Sequence, residues 1–405
     1  MTELPDIRQA DVRGKTVLLR ADLNVPMDNG TITDATRIER FIPTISDLTN
    51  RGAAVLIMTH LGRPNGEVNP VLSTRPLAEA VSKALQQDVT FIPSVEGRYP
   101  EDKSGLLRPG DVGFLESVRF HPGETANSKI LALQLSVFGD IYVNDAFSCA
   151  HRAHASTYAI TETLPSFAGP SLIAEVEALE MALETPARPV AALVGGAKVS
   201  TKIAVLENLL PKVDHLIIGG GMANTFLAAL DFQMGRSLVE DEAVQLAKKI
   251  IADAKAANCT IVLPEDLVVA SEFAANAPNR VVTASQISEH EMALDVGPAT
   301  CLKINEVLET CRVLLWNGPL GAFEIEPFGE ATFTVAGKAA ELTQHNALVT
   351  VAGGGDTVAA LNAAGTTGRF TYVSTAGGAF LEWLEGKDLP GIAALLKSER
   401  RKEIA

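Results

Sequence analysis

The sequence is short of several things, and each shortage removes a class of function. Its 405 residues include four cysteines, Cys149, Cys259, Cys301 and Cys311, with no CxxC pair and no metal-ligand spacing. That excludes a disulfide framework and a structural zinc site, and a reducing cytoplasm is the expected setting. No run of 18 apolar residues occurs, so no membrane span is expected. The opening MTELPDIRQADVRGK lacks the basic-then-apolar pattern of a signal peptide. Positive charge is in deficit: 34 Lys and Arg against 49 Asp and Glu leave a net charge of −15. Such a balance argues against nucleic acid or an anionic membrane as the main partner. Two nucleotide fingerprints are missing as well. GKT at 14–16 precedes a strand instead of following one, and Gln9 occupies the place of the first Walker glycine. GGGMAN at 219–224 carries Asn224 where a dinucleotide fingerprint has its third glycine, which disfavours a nicotinamide enzyme. His151 and His154 belong to no HExxH pattern and are not read as metal ligands.

What is present centres on the stretch 190–203, VAALVGGAKVSTKI. Its five leading apolar residues read as a strand buried on both faces. Gly195 and Gly196 supply a tight turn, and Ser200 or Thr201 is placed to cap a following helix. Lys198 and Lys202 stand four positions apart. A helix containing both would set two ammonium groups on one face, beside the N–H groups of its own start. That would be an anion site, although a plain βα unit with two solvated lysines has the same sequence.

On either side of this stretch, apolar runs alternate with helical periodicity. The first series has strands at 16–20, 53–59, 89–92, 112–117 and 141–145. Between them lie helical stretches at 76–85 and 128–138, and one carrying Ile38, Phe41, Ile42, Ile45 and Leu48, capped at Thr33 or Asp34. The second series places strands at 190–194, 215–218, 260–263, 312–316, 347–351 and 370–373. Strands separated by helices predict an α/β fold of two doubly wound, Rossmann-like parallel-sheet domains. A chain of this length also exceeds one ordinary core. The expected division is an N-terminal domain over 1–171, a connecting hinge helix over 172–189, and a C-terminal domain over 190–385.

Charge type differs between the halves. Up to residue 185 there are twelve Arg and four Lys; beyond it, seven Arg and eleven Lys. Arg forks suit bidentate capture of carboxylate and phosphate, so the first half is the better candidate for a small oxyanion. Its strand ends carry RADLNVP, HLGRP, FLESVRF and NDAFSCAHRAHAS, which put His60, Arg63, Arg119, His151 and Arg152 just past strands, with Arg37 soon after the first. Together they read as a basic pocket; singly, each is better explained as a surface charge or cap. In the second half, WNGPLGAFE and VAGGGDT complete a set of strand-end glycines. Ligands of open α/β sheets bind there. Asp356 and Thr357, at a Gly-rich helix start, suit Mg²⁺ and phosphate oxygens. Glu324 would suit ribose hydroxyls or solvent equally.

RADLNVP, HLGRP, NDAFxxAHRAHAS, GGAKVSTK, IGGGMA, WNGPLGAFE, GGGDT and STAGGAFLEWLEGKxLPG, in that order, resemble the motif series of the phosphoglycerate kinase family. The resemblance implies reversible phosphoryl transfer between 1,3-bisphosphoglycerate and ADP, giving 3-phosphoglycerate and MgATP. That is a step of glycolysis, gluconeogenesis or carbon fixation, carried out in the cytoplasm by a monomer that closes its two domains. The C-terminal tail, 386–405, is then expected to return to the N-terminal domain. Carried over position by position, Asp22, Leu23, Asn24, Arg37, His60, Leu61, Gly62, Arg63, Arg119 and Arg152 bind 3-phosphoglycerate. Lys202, Gly219, Gly220, Gly221, Asn317, Glu324, Gly354, Gly355, Asp356 and Thr357 bind the nucleotide. Gly219 to Gly221 line the adenine pocket, and Asp356 takes the Mg²⁺ that travels with the phosphates. Arg37 and Lys198 meet the charge of the moving phosphoryl group, and the backbone of Gly377 and Gly378 adds donors to it. The sequence departs from the family pattern at Ser117, Ser148, Cys149, Tyr372 and Ala376, none of which removes a charged ligand.

Overall fold

Apolar runs in each half of the chain close into a six-stranded parallel sheet. The computed structural model describes residues 3–28, 30–94 and 107–404. Two units follow from the pattern of contacts: one runs to Val176 and resumes at Asp388, the other is Glu177–Lys387.

In the first unit the strands are β1 (Thr16–Ala21), β4 (Ala54–Met58), β5 (Val89–Ile92), β6 (Val112–Leu115), β7 (Ile141–Asp145) and β8 (Ser166–Ala168), with a small ribbon of β2 (Met27–Asp28) and β3 (Thr31–Ile32) beside them. The sheet order is β5-β6-β4-β1-β7-β8. From β1 the chain builds outward in one direction and then returns to build in the other, so the sheet has a switch point between β1 and β7. A crevice at the carboxyl ends of such strands is where ligands bind. The helices are α1 (Thr36–Asn50), α2 (Arg75–Leu85), the short α3 (Pro122–Thr125) and α4 (Lys129–Ser136). α1 buries Ile38, Phe41, Ile45 and Leu48, the expected face. It starts later than expected: Ala35 is its N-cap, while Asp34 Oδ1 accepts from the Thr36 N–H at 2.8 Å. The C-terminal helix, Pro390–Ile404, packs against β8 and the turn Ala159–Glu162. Its Gly391 N–H donates to Ala150 O at 2.8 Å. α5 (Pro170–Leu183) carries the chain across from the first unit into the second.

The second unit begins with β9 (Val190–Val194), α6 (Ile203–Leu209), β10 (His215–Ile218), α7 (Gly220–Ala229), α8 (Val244–Ala256) and β11 (Thr260–Val262). Then come β12 (Asp266–Ala270), β13 (Asn279–Thr283) and β14 (Met292–Val296), followed by α9 (Pro298–Thr310), β15 (Val313–Asn317), α10 (Glu330–Gln344), β16 (Val349–Gly353), α11 (Gly355–Ala363), β17 (Tyr372–Ser374) and α12 (Gly377–Leu384). The parallel sheet runs β11-β10-β9-β15-β16-β17, with its switch point between β9 and β15. Leu193, Leu314, Trp316, Val335 and Ala352 are core residues of this sheet and its helices, all 1% exposed or less. The strands β12, β13 and β14 form a separate antiparallel sheet, which the sequence reading did not anticipate.

One expectation fails here. Neither Lys198 nor Lys202 lies inside a helix: a single 3-10 turn, Val199–Thr201, intervenes, and α6 starts only at Ile203 with Lys202 as its N-cap. The residues expected to cap are engaged otherwise. Glu240 accepts the Ser200 N–H at 3.0 Å and the Ser200 hydroxyl at 2.6 Å, and the Thr201 hydroxyl donates to Lys198 O at 2.9 Å. The two ammonium groups therefore do not share a helical face. Among the described residues no helix is long and apolar enough to cross a membrane.

Candidate functional site

In the first unit, the loops at the carboxyl ends of β1, β4 and β6 are tied to one another by polar side chains. Arg37, on the first turn of α1, donates through Nη1 to both oxygens of Asp22 at 2.9 Å. Asn24 Oδ1 accepts the Gly62 N–H at 3.0 Å, and Arg119 Nη1 donates to Gly62 O at 3.0 Å. Gly62, at φ +58°, is thus held from both sides. A side chain there would also meet the Leu72 methyls at 2.8 Å. Leu23 and Leu61 are buried, so their side chains are core anchors and only their backbones face the loops. Arg63 and Arg152 are exposed, and Arg152 Nε donates to His151 Nε2 at 3.0 Å. His60 is buried behind these loops. Its imidazolium form is strongly disfavoured, first by burial and then by the charges of Arg20 and Arg119. Burial likewise lowers Arg119, with Arg20 and Arg152 adding repulsion against the pull of Cys149 and Glu124.

Sequence reasoning passed over the residues beneath this site. Arg20 ends the apolar run of β1 and is fully buried, as are Glu124 and Ser156. The one available signal was a charge at the end of a strand that is otherwise aliphatic.

In the second unit the carboxyl ends of β9 and β15 approach so closely that only glycine fits. A Cβ on Gly195 would lie 1.9 Å from Pro319 O, and one on Gly318 would lie 2.2 Å from Gly195 O. Beside this contact opens a cavity of about 510 Å³. Gly220 and Gly221 of α7 line one side, Leu294 and Val296 of β14 another, and Glu324 and Asp356 its polar edge. Gly219 is not part of the lining: it is the N-cap of α7, pressed against Leu320. Arg236, Leu238, Phe273 and Met292 also line the cavity and belong to no motif in the sequence.

Around the start of α11, whose Asp356 lines the cavity, a set of polar groups gathers. Lys202 Nζ donates to Asn317 Oδ1, while Asn317 Nδ2 donates to Gly353 O at 2.7 Å. Burial lowers the Lys202 pKa, and the nearby charges of Asp356 and Glu385 oppose that shift. Gly354, at φ +101°, is the N-cap of α11, so Gly355 and Asp356 form its first turn. Thr357 is buried, its Oγ1 accepting the Gly318 N–H at 2.7 Å; it braces the loop and is not open to the cavity. Lys198 is exposed on the 195–201 loop. Gly377 and Gly378 open the first turn of α12, where the leading N–H groups lack intrahelical partners. Among the described residues no cluster of three or more His, Cys, Asp and Glu is arranged to hold a metal ion.

The family model for phosphoglycerate kinase matches residues 7–387, nearly the whole chain. The chain belongs to the phosphoglycerate kinase family. The phosphoglycerate kinase of Sphingopyxis alaskensis is 56% identical over 385 residues, covering 95% of this chain and 97% of that one. That of Zymomonas mobilis is 54% identical over the same length and coverage. Among solved structures, phosphoglycerate kinase from Coxiella burnetii superposes with a TM-score of 0.92 at 42% identity, covering 98% of this chain and 99% of that one. The Pyrococcus horikoshii enzyme superposes at 0.79 with 32% identity, covering 98% of this chain and all of that one. The family membership and the two-sheet α/β fold therefore agree with the resemblance seen in the motifs.

Proposed function

We propose that the chain catalyses reversible phosphoryl transfer between 1,3-bisphosphoglycerate and ADP, giving 3-phosphoglycerate and ATP. The observation that carries this reading is the pairing of two unlike sites, each at the switch point of its own parallel sheet. One is rich in Arg and His and suits a small polyanion; the other joins an apolar cavity to Lys202, Asn317 and the α11 helix start, which suits a nucleotide. Phosphoryl transfer asks for little covalent chemistry: it needs in-line placement and neutralisation of three equatorial oxygens. The acceptor is a carboxylate, already ionised at neutral pH, so no general base is required.

In this reading Arg63, Arg119 and Arg152 hold the phosphate that does not move, with Asp22 orienting Arg37 and Asn24 ordering the Gly62 loop. His60 and the backbones of Leu23, Leu61 and Gly62 complete the substrate site. The nucleobase lies against Gly220 and Gly221, Glu324 takes ribose hydroxyls, and Lys202, Asn317, Gly354 and Gly355 hold the phosphates. Gly219 and Thr357 contribute by bracing these elements. Magnesium enters as part of the nucleotide substrate, where it offsets phosphate charge, with Asp356 as its protein ligand. Arg37, Lys198 and the N–H groups of Gly377 and Gly378 meet the charge of the group in flight. The same reading takes the protein as a cytoplasmic monomer, which sedimentation at assay concentration tests in part. ATP consumption measured with and without 3-phosphoglycerate is the decisive assay. Turnover that requires 3-phosphoglycerate is expected; ATP loss indifferent to it overturns the assignment.

A further inference from the structure

Under the Arg-rich site lies a buried polar chain that ends on His60. Glu124, fully buried, accepts the Ser156 N–H at 2.9 Å and the Ser156 hydroxyl at 2.6 Å. The same hydroxyl oxygen accepts from Arg20 Nε at 2.9 Å, and Arg20 Nη1 donates to Ala21 O at 2.7 Å. These bonds fix the plane of the guanidinium. Its remaining nitrogen, Nη2, lies 3.0 Å from His60 Nδ1, with Cys149 Sγ at 3.6 Å as a second acceptor. A guanidinium has donors and no acceptor. His60 Nδ1 must therefore accept, and the single ring proton resides on Nε2.

We propose that Arg20 is a positioning residue that holds His60 in its Nε2–H tautomer, so that the 3-phosphoglycerate site presents a donor where a free imidazole would also present a lone pair. The proposal rests on the placing of His60 in that site and adds the residue that sets its polarity. Arg20 is 0% exposed and its donors are engaged with groups inside the protein, so it acts through His60 and not on the substrate. The cause of the arrangement is economical. An arginine buried near the end of β1 needs a counter-charge, which Glu124 supplies through Ser156, and with Nε and Nη1 engaged the fixed fork turns Nη2 toward His60, with Cys149 as its weaker second acceptor. Burial together with the Arg20 charge also keeps His60 far below its ordinary imidazolium range, so the ring stays a single-proton donor. An anionic substrate oxygen opposite the wrong tautomer would face a lone pair and leave a buried polar contact unmade.

The test labels the protein with ¹⁵N-histidine and reads the tautomer of His60 by long-range proton–nitrogen correlation, with His60→Ala used to assign its signals. Wild type should show a protonated Nε2 and a bare Nδ1; a proton on Nδ1 overturns the proposal with no variant needed. Arg20→Lys keeps the charge and loses the fork. Arg20→Met with Glu124→Gln removes both charges together, which protects folding if the single change does not. In either variant the His60 signals should move to a mixture of tautomers, and KM for 3-phosphoglycerate should rise roughly tenfold while KM for ATP is unchanged. A His60 that keeps its tautomer in both variants, or changes it with no rise in KM, sinks the idea. Failure of the site assignment is read separately: His60→Ala would then leave KM for 3-phosphoglycerate as in wild type.

Discussion

Lys198 and Lys202 are four residues apart and differently held, and the difference predicts different kinetic defects. Lys202 is half-buried and tied to Asn317, so its charge is in place before any reaction. Lys198 is exposed, on a loop whose neighbouring Ser200 is anchored by Glu240. A charge of this kind serves the transition state if it reaches the moving phosphoryl group. Lys198→Ala should lower kcat by roughly 10²–10³ with little change in KM for ATP, as for loss of a transition-state donor. Steady-state kinetics decide it: a normal kcat with weakened ATP binding would make Lys198 a ground-state ligand. The arginines make a parallel case. Arg→Lys at position 63, 119 or 152 replaces a planar fork with a point charge and should raise KM for 3-phosphoglycerate roughly tenfold. At Arg119 the change also withdraws the bond to Gly62 O. Calorimetric ATP affinity should stay as in wild type, and an equal loss of it would contradict the assignment of the two ligands to separate sites.

At the scale of elements, β14 forms one wall of the cavity and is joined to α10 through a buried carboxyl. Asp295, at the end of β14, is 3% exposed; it accepts the Val296 N–H at 2.9 Å and the Ala331 N–H, in the first turn of α10, at 3.1 Å. Burial, helped by the charge of Glu330, pushes its pKa up to about 8. The native state therefore keeps a proton that the unfolded chain has lost. The stability this contributes is fully present below the unfolded value near 3.8 and is lost as pH rises through about 8. Urea unfolding of wild type and Asp295→Asn between pH 5 and 7 should show wild type losing about 1.4 kcal/mol per pH unit relative to the variant, with the difference levelling off above pH 8. Parallel curves would mean that Asp295 is ionised in the native protein. This joint also shows where the sequence stopped being legible. Strands buried on both faces, such as β4 and β9, announce themselves as unbroken apolar runs with sharp ends. The antiparallel sheet does not: β13 is mostly exposed and β14 is half-buried for three of its five residues, so neither has a clean period. Phe273, Met292 and Arg236 reach the cavity from that region by tertiary packing alone. The strand-end motifs did mark where charged side chains gather, since those residues directly follow strands that are plain in the sequence. Helix starts were misjudged at Ser200 because Glu240, forty residues on, claims the hydroxyl.

On the scale of the whole molecule, the two sets of groups are carried by different units, and the reaction needs their ligands to meet. The Arg and His set ends strands of the sheet that runs β5 to β8; the Lys, Gly and Asp set ends strands of the sheet that runs β11 to β17. Each unit has its own hydrophobic core, and α5 spans the change from one to the other. In-line transfer requires the attacking oxygen within ~3–3.5 Å of phosphorus, in a space from which water is excluded. A permanently closed arrangement would bar both substrates from entering, so catalysis calls for an equilibrium between open and closed forms. A ligand shifts such an equilibrium only by its difference in affinity for the two forms. On the proposed assignment, 3-phosphoglycerate alone or nucleotide alone engages mainly one unit and should shift it weakly. The pair bound together should shift it strongly if, as proposed, Arg37, Lys198 and the α12 start act on one phosphoryl group. Small-angle scattering on the free protein, on each binary complex and on the ternary complex tests this directly. The radius of gyration should fall slightly in the binary states and clearly in the ternary one. If it stays constant across all four, closure is not how the two ligands are brought together.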